Sequence, residues 1–264
     1  MAQRLTLSIC HLYGDLMNTY GDNGNIETIK KRCKWRNISV STEIVSLGNK
    51  LNNDYDFYFF GGGQDKTQEV VSLDLKSKSK AKKIKSAIEN GSVLLSVCGG
   101  YQLLQKHFKT KDRKIIPGIG LFDACTVGSN DRMIQNLLIK INPGLQKEIN
   151  SFNLNTKYQI LNTNLVGFEN HSGKTYLGEK TKPLGSVIIG AGNNGEDKTE
   201  GAVYKNAFGC YLHGSLLPKN PHFADYLISK ALEKKYGQIK LEPLDDEIEW
   251  QAHQSAAIRA RSQT

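Results

Sequence analysis

The stretch Ser92-Val-Leu-Leu-Ser-Val-Cys98-Gly-Gly-Tyr-Gln-Leu-Leu104 most narrows what this chain can fold into. An apolar run of strand length ends at a cysteine, two glycines follow at once, and an amphipathic helical pattern begins. A strand that turns this sharply into a helix reads as a nucleophile elbow, with the cysteine raised above the strand's carboxyl end. There the thiol lies at the positive end of the following helix, which favours the thiolate. Gly99 and Gly100 let a substrate approach the backbone, and the Gly99 N–H points where an oxyanion would develop. A buried structural cysteine before a tight turn is the alternative, and the coincidence of strand, double glycine and helix favours the nucleophile.

The flanking sequence repeats the strand–helix alternation. Leu5 to Ile9 reads as a first strand, Ile26, Ile29 and Cys33 mark one helix face, and Val40 to Leu47 reads as a second strand. Asp56 to Phe60 is a third strand, stopped by Gly61-Gly-Gly-Gln-Asp65. This spacing predicts an α/β fold with a mostly parallel central sheet flanked by helices, of flavodoxin-like architecture. Ligands bind such sheets beyond the carboxyl ends of the strands, so the triple-glycine loop and Cys98 should face one crevice. From Pro117 to Lys182 the pattern loosens into short strand-like pieces, read as antiparallel structure and loops beside the site. Strands resume at Gly185–Ile189, Ala202–Tyr204 and Phe208–Leu212. Asn220-Pro221 starts a helix with Phe223, Tyr226, Leu227 and Ala231 inward, ended by Gly237. We divide the chain into a domain over 1–240 and an acidic segment with a tail over 241–264.

Composition excludes several classes. No apolar run reaches membrane-spanning length and the N-terminus has no signal-peptide pattern, which gives a cytoplasmic expectation. The five cysteines are irregularly spaced without a Cys-x-x-Cys pair, so neither a disulfide framework nor a zinc site is indicated. The net charge of +9 is concentrated in six lysines between Lys76 and Lys85, where Ala81, Ile84 and Ile88 keep helical spacing; this reads as a solvated helix face. No aromatic residues interleave with the lysines, which argues against nucleic acid as a partner. Gly190-Ala-Gly192-Asn-Asn-Gly195 has dinucleotide-binding spacing, but no apolar-faced helix follows, so it reads as a turn. The chain shows no recognisable ATP motif.

A cysteine nucleophile requires a base. His213 follows the strand ending at Leu212 and precedes Gly214, a strand-end position suited to that role. His171 is its competitor, read otherwise as a loop or substrate-contacting residue. His107, placed on the helix after Cys98 and about two and a half turns along it, points away; with His222 and His253 it reads as a surface residue.

Ser96-Val-Cys98-Gly-Gly-Tyr-Gln-Leu-Leu with Tyr211-Leu-His213-Gly resembles the class I glutamine amidotransferases of the cobyric acid synthase type. Phe60-Gly-Gly-Gly-Gln-Asp65, Asp15-Leu-Met-Asn-Thr-Tyr-Gly-Asp-Asn-Gly-Asn and Gly214-Ser-Leu-Leu-Pro-Lys-Asn-Pro-His-Phe-Ala-Asp narrow the resemblance to the glutaminase subunits of lipid II isoglutaminyl synthase. The resemblance implies that Cys98 attacks the side-chain amide of L-glutamine, that His213 moves the protons, and that backbone N–H groups of Gly99 and of the Gly61–Gly63 loop, Gly62 foremost, hold the oxyanion. It also implies that Arg132 binds the glutamine substrate. Ammonia would pass to a MurT-like, Mur-ligase-family partner that uses ATP and magnesium to amidate the D-glutamate α-carboxylate of lipid II. This chain would itself carry no cofactor, and the complex, a heterodimer, would bring it to the inner face of the membrane.

The alternatives are a glutaminase subunit of another synthase, such as one for cobyrinate amidation, and a non-catalytic binding module. Three positions depart from the family pattern. Ser96 and Gln105 replace common glycines. Ser215 stands where many relatives carry a carboxylate two residues after the catalytic histidine, which leads to the expectation of a Cys98–His213 dyad completed by an acidic residue of the partner.

Overall fold

The computed structural model describes residues 4–52, 54–77, 79–152 and 163–263. In chain order the strands are β1 (Thr6–Leu12), β2 (Ser39–Val45), β3 (Phe57–Phe60), β4 (Val93–Val97), β5 (His107–Lys109) and β6 (Ile115–Pro117). They continue with β7 (Ala124–Ile141), β8 (Asn164–Leu177), β9 (Gly185–Ile189), β10 (Thr199–Glu200), β11 (Ala202–Tyr204) and β12 (Ala207–Cys210). The α-helices are α1 (Gly24–Trp35), α2 (Asp65–Ser77), α3 (Lys80–Glu89), α4 (Gly99–Leu104), α5 (Pro143–Phe152), α6 (Pro221–Tyr236) and α7 (Glu247–Arg261).

One six-stranded sheet has the order β11-β12-β4-β3-β1-β2. Every neighbouring pair in it is parallel except β11 with β12. Strands β3 and β4 are buried along their whole length, as apolar strands covered on both faces must be. Because β1 is flanked by β2 and β3, the chain leaves it in two directions, and a crevice opens beyond the carboxyl ends there. The parallel α/β architecture is therefore as expected, and the triple-glycine loop and Cys98 do end adjacent strands.

The second sheet, in the order β10-β9-β7-β5-β6 with β8 paired to β7, is mostly antiparallel, as the loosened pattern between Pro117 and Lys182 predicted for its described part. Residues 153–162 of that stretch lie outside the described residues. The β7–β8 register shifts between Gly128 and Met133, which frees Arg132 from the ladder. An antiparallel bridge between Phe168 and His213, with His213 N–H donating to Phe168 C=O at 2.8 Å, stitches this sheet to the end of β12. That bridge sets Asn170 and His171 beside the carboxyl ends of the parallel strands.

Helix α6 buries Phe223, Tyr226, Leu227 and Ala231, and Gly237 follows it with a φ of 72°, as the sequence pattern predicted. Three expectations fail. The lysine-rich stretch is not one solvated helix: α2 ends, Ser79 adopts a φ of 56°, and α3 begins with Lys80 fully buried against Asp74 and the Tyr13 ring. Helix α4 ends at Leu104, so His107 belongs to β5 rather than to a helix. His222 and His253 are buried rather than exposed, because α7 lays Trp250 over His222 and His253 beside both. The tail is thus largely this helix, with Ala260 packed against Leu138 of β7 and Val166 of β8.

Candidate active site

Four segments that end parallel strands supply the site. Cys98 follows β4 with φ 50° and ψ −108°, a conformation that turns the chain into α4. Its N–H donates to Cys210 C=O of the neighbouring β12 at 2.8 Å, and its C=O receives Gln102 N–H at 2.9 Å. Gly100 N–H donates to Gly61 C=O at 3.1 Å, which holds the cysteine turn against the glycine loop.

Gly62 stands at the centre of the group. A β-carbon at Gly62 would lie 2.8 Å from His213 Cε1, 3.1 Å from Asp22 Oδ2 and 3.5 Å from Cys98 Cβ, so only glycine fits between them. Cys98 and His213, predicted separately from two strand ends, therefore meet. Gly99 opens the helix beside them, and a β-carbon there would stand 2.8 Å from Gly63 N and O.

His213 is fully buried. Its Nδ1 lies 3.2 Å from Oδ1 of Asp22, also fully buried, and its other side interacts with the Cys98 sulfur. The sequence left this imidazole without a carboxylate from its own chain; the structure supplies Asp22, whose position in the loop after β1 no local spacing from His213 could reveal. Burial alone would lower the His213 pKa, but the facing Cys98 sulfur and the Asp22 carboxylate outweigh it and hold the imidazole up to about 10. That direction favours a protonated ring facing the sulfur. Tyr20 covers it edge-on, with ring centroids 5.1 Å apart.

The crevice above Cys98 holds about 480 Å³ and is lined by Tyr20, Gln64, Gln102, Arg132 and His171 among others. Arg132 Nε donates to Asn170 Oδ1 at 2.8 Å, Asn170 Nδ2 donates to Tyr20 Oη at 2.8 Å, and an Arg132 terminal nitrogen lies 3.4 Å from the same oxygen. The guanidinium is thus aimed along the rim, where a fixed cationic fork suits a carboxylate. His171 stacks on Tyr211 at 3.6 Å and spends Nδ1–H on Gly173 C=O. It lines the crevice but does not meet Cys98 as His213 does.

Of the glycines expected to hold an oxyanion, Gly62 spends its N–H on Asp22 Oδ2 at 2.8 Å. That N–H is engaged with the carboxylate that faces His213, and nothing in the sequence signalled it. The turn Gly190–Gly195 is indeed a turn, and its Ala191 and Gly192 N–H groups bind the buried carboxylate of Glu169.

Comparison with known proteins places the chain in a family. Residues 8–221 match the CobB/CobQ-like glutamine amidotransferase domain. The chain is 41% identical over 91% of its length, and 86% of the relative's, to the Streptococcus pneumoniae protein named lipid II isoglutaminyl synthase (glutamine-hydrolyzing) subunit GatD. It is 40% identical to the Staphylococcus aureus subunit of the same name, over 97% of both chains. A crystal structure of a Thermotoga maritima glutamine amidotransferase shares the fold, with a TM-score of 0.50 at 16% identity over 97% of this chain and 95% of that one. The chain belongs to the CobB/CobQ-like glutamine amidotransferase family and, within it, to the GatD subunits of lipid II isoglutaminyl synthase.

Proposed function

We propose that this chain hydrolyses L-glutamine and delivers the ammonia to a partner subunit of a lipid II isoglutaminyl synthase. The observation that carries this reading is that Cys98 and Arg132, from distant segments, line one crevice, while the buried His213 meets Cys98 across Gly62. Arg132 takes the α-carboxylate of glutamine and sets the side-chain amide over Cys98. Cys98 Sγ attacks the amide carbon, and the tetrahedral oxyanion is held by the Gly99 N–H. His213, already protonated, gives its proton to the departing nitrogen as the carbon–nitrogen bond breaks, which releases ammonia and leaves a glutamyl thioester. A water then gives a proton to His213 as it attacks the thioester carbon, the carbon–sulfur bond breaks, and glutamate leaves with the Cys98 thiolate and the protonated His213 restored.

The relatives are named as a subunit, which supports a partner polypeptide; in our reading that partner consumes the ammonia. We take it to be a MurT-like, Mur-ligase-family enzyme that binds ATP and magnesium and activates the D-glutamate α-carboxylate of lipid II. The complex is cytoplasmic and works at the inner face of the membrane. Among the described residues no helix is long and apolar enough to cross a membrane.

The test is release of glutamate and ammonia from glutamine by the purified chain, alone and with a Mur-ligase-like partner. We expect Cys98→Ala to reduce release by at least about 10³-fold, as loss of a covalent nucleophile does elsewhere. No Cys98-dependent release in either condition would overturn the reading.

A further inference from the structure

The loop between β1 and α1 is fastened to the site from every side. Thr19 N–H and Oγ1 both donate to Gly62 C=O, at 3.1 and 3.0 Å. Asn23 N–H donates to Asn18 Oδ1 at 2.7 Å. Ser215, which occupies the place where a carboxylate was expected, donates its hydroxyl to Gly21 C=O at 2.6 Å. These bonds hold a single buried carboxylate, Asp22, whose two oxygens do different things. Oδ1 faces His213 Nδ1 at 3.2 Å, and Oδ2 accepts the Gly62 N–H at 2.8 Å. A fully buried carboxylate is stable only where such donors satisfy it, and a protonated imidazole is the stronger of the two.

We infer that Asp22 is the positioning carboxylate of this site: it orients the His213 imidazole, and the Gly62 amide belongs to the mount of that base rather than to the oxyanion hole. The inference rests on the glutaminase reading. It replaces a carboxylate borrowed from a partner with one the chain carries 191 residues before its base. It also explains why Ser215 suffices after the histidine, since that hydroxyl braces the loop holding the carboxylate. With Nδ1–H fixed on Asp22, Nε2 is the nitrogen left to exchange protons with Cys98 and the substrate. The oxyanion then rests on Gly99 without help from Gly62.

The groups facing His213 are Asp22 from the β1–α1 loop, Tyr20 from the same loop and Cys98 from the β4 turn, with Glu200 of β10 acting at longer range. Among them only Asp22 offers a carboxylate to Nδ1. The experiment compares the wild-type chain, Asp22→Asn and Cys98→Ala, each with and without the Mur-ligase-like partner. It follows kcat and KM for glutamine and, separately, the pH dependence of Cys98 alkylation by iodoacetamide. In Asp22→Asn we expect kcat to fall by roughly 10²- to 10⁴-fold, the range set by loss of an orienting carboxylate in other triads, with KM changed less than about threefold. The alkylation profile should also change, with slower reaction near neutral pH, because Asp22 no longer steadies the imidazole that faces the Cys98 sulfur. Asp22→Ser, which keeps an oxygen for Gly62, takes its place if the asparagine variant melts well below the wild type.

An unchanged alkylation profile, or kcat within about threefold of wild type, would overturn the inference. So would a large kcat loss seen only without the partner and restored by it, since a partner's carboxylate would then be the one in use. A wild-type chain inactive toward glutamine would instead sink the glutaminase reading, while the alkylation profile would still report on Asp22.

Discussion

Tyr20 does three things from one backbone position. Its φ of 59° is in the left-handed region, where a bulky residue is strained, and that turn carries the ring over His213 while the hydroxyl reaches Asn170 and Arg132 on the other sheet. The hydroxyl thereby aligns the arginine rim, and the ring screens the base. Tyr20→Phe keeps the ring and removes the alignment. We expect KM for glutamine to rise about three- to tenfold with kcat within about twofold, since one hydrogen bond near a charged group is worth roughly 1 kcal/mol; steady-state kinetics read this directly. Cys98 and His213 were legible because each ends a strand, a property of short-range pattern. Asp22 and Tyr20 were not, because they lie in a loop whose meaning depends on residues some 190 positions away.

At the scale of elements, α7 is the part that local patterning hid most. Its weak amphipathic pattern follows an acidic segment, yet it buries Trp250 and His253 against α6. His222 donates through Nε2 to Asn164 C=O at 3.0 Å, and His253 donates through Nδ1 to Lys219 C=O at 2.8 Å. Burial, then the neighbouring His253, lower the His222 pKa to about 3, and burial lowers that of His253 as well. Below about pH 6.5 the unfolded chain takes up a proton at His222 while the folded chain refuses it until about pH 3. The stability contributed by the neutral ring is thus complete above pH 6.5 and lost as pH falls from 6.5 toward 3. Denaturant unfolding at pH 7, 6 and 5 should show a decline on the order of 1.4 kcal/mol per unit below the upper limit, with a flatter slope in His222→Gln. The lysine stretch teaches the complementary lesson. Its apolar spacing located the helix α3 correctly, but the break at Ser79 turned Lys80 inward to Asp74, which charge counting alone could not see.

At the scale of the whole molecule, one buried arginine joins three parts of the chain. Arg32 of α1 pairs with Asp225 of α6 at 2.6 Å and with Asp246, just before α7, at 2.7 Å, while Arg36 pairs with Asp225 at 2.6 Å and donates to Glu242 C=O at 2.7 Å. Removing one partner strands the others in a low-dielectric interior. Arg32→Ala should therefore cost about 3–5 kcal/mol in denaturant unfolding, whereas an exposed pair such as Lys30–Glu27 should cost under about 1 kcal/mol. The parallel sheet was legible from alternating strands and helices, but these ties were not, since acidic residues near residue 245 gave no sign of their partner.

The strand order carries one more consequence, for the chain as it is made. Strand β4 lies between β3 and β12, so one side of the strand that bears Cys98 has no neighbour until the last third of the sequence exists. At roughly 5–20 residues per second, the interval between Cys98 and His213 leaving the ribosome is on the order of 6–25 s. For that time Cys98 has neither His213 beside it nor the Cys210 carbonyl that pins its backbone. On the proposed mechanism the nascent chain is inert toward glutamine until its sheet closes.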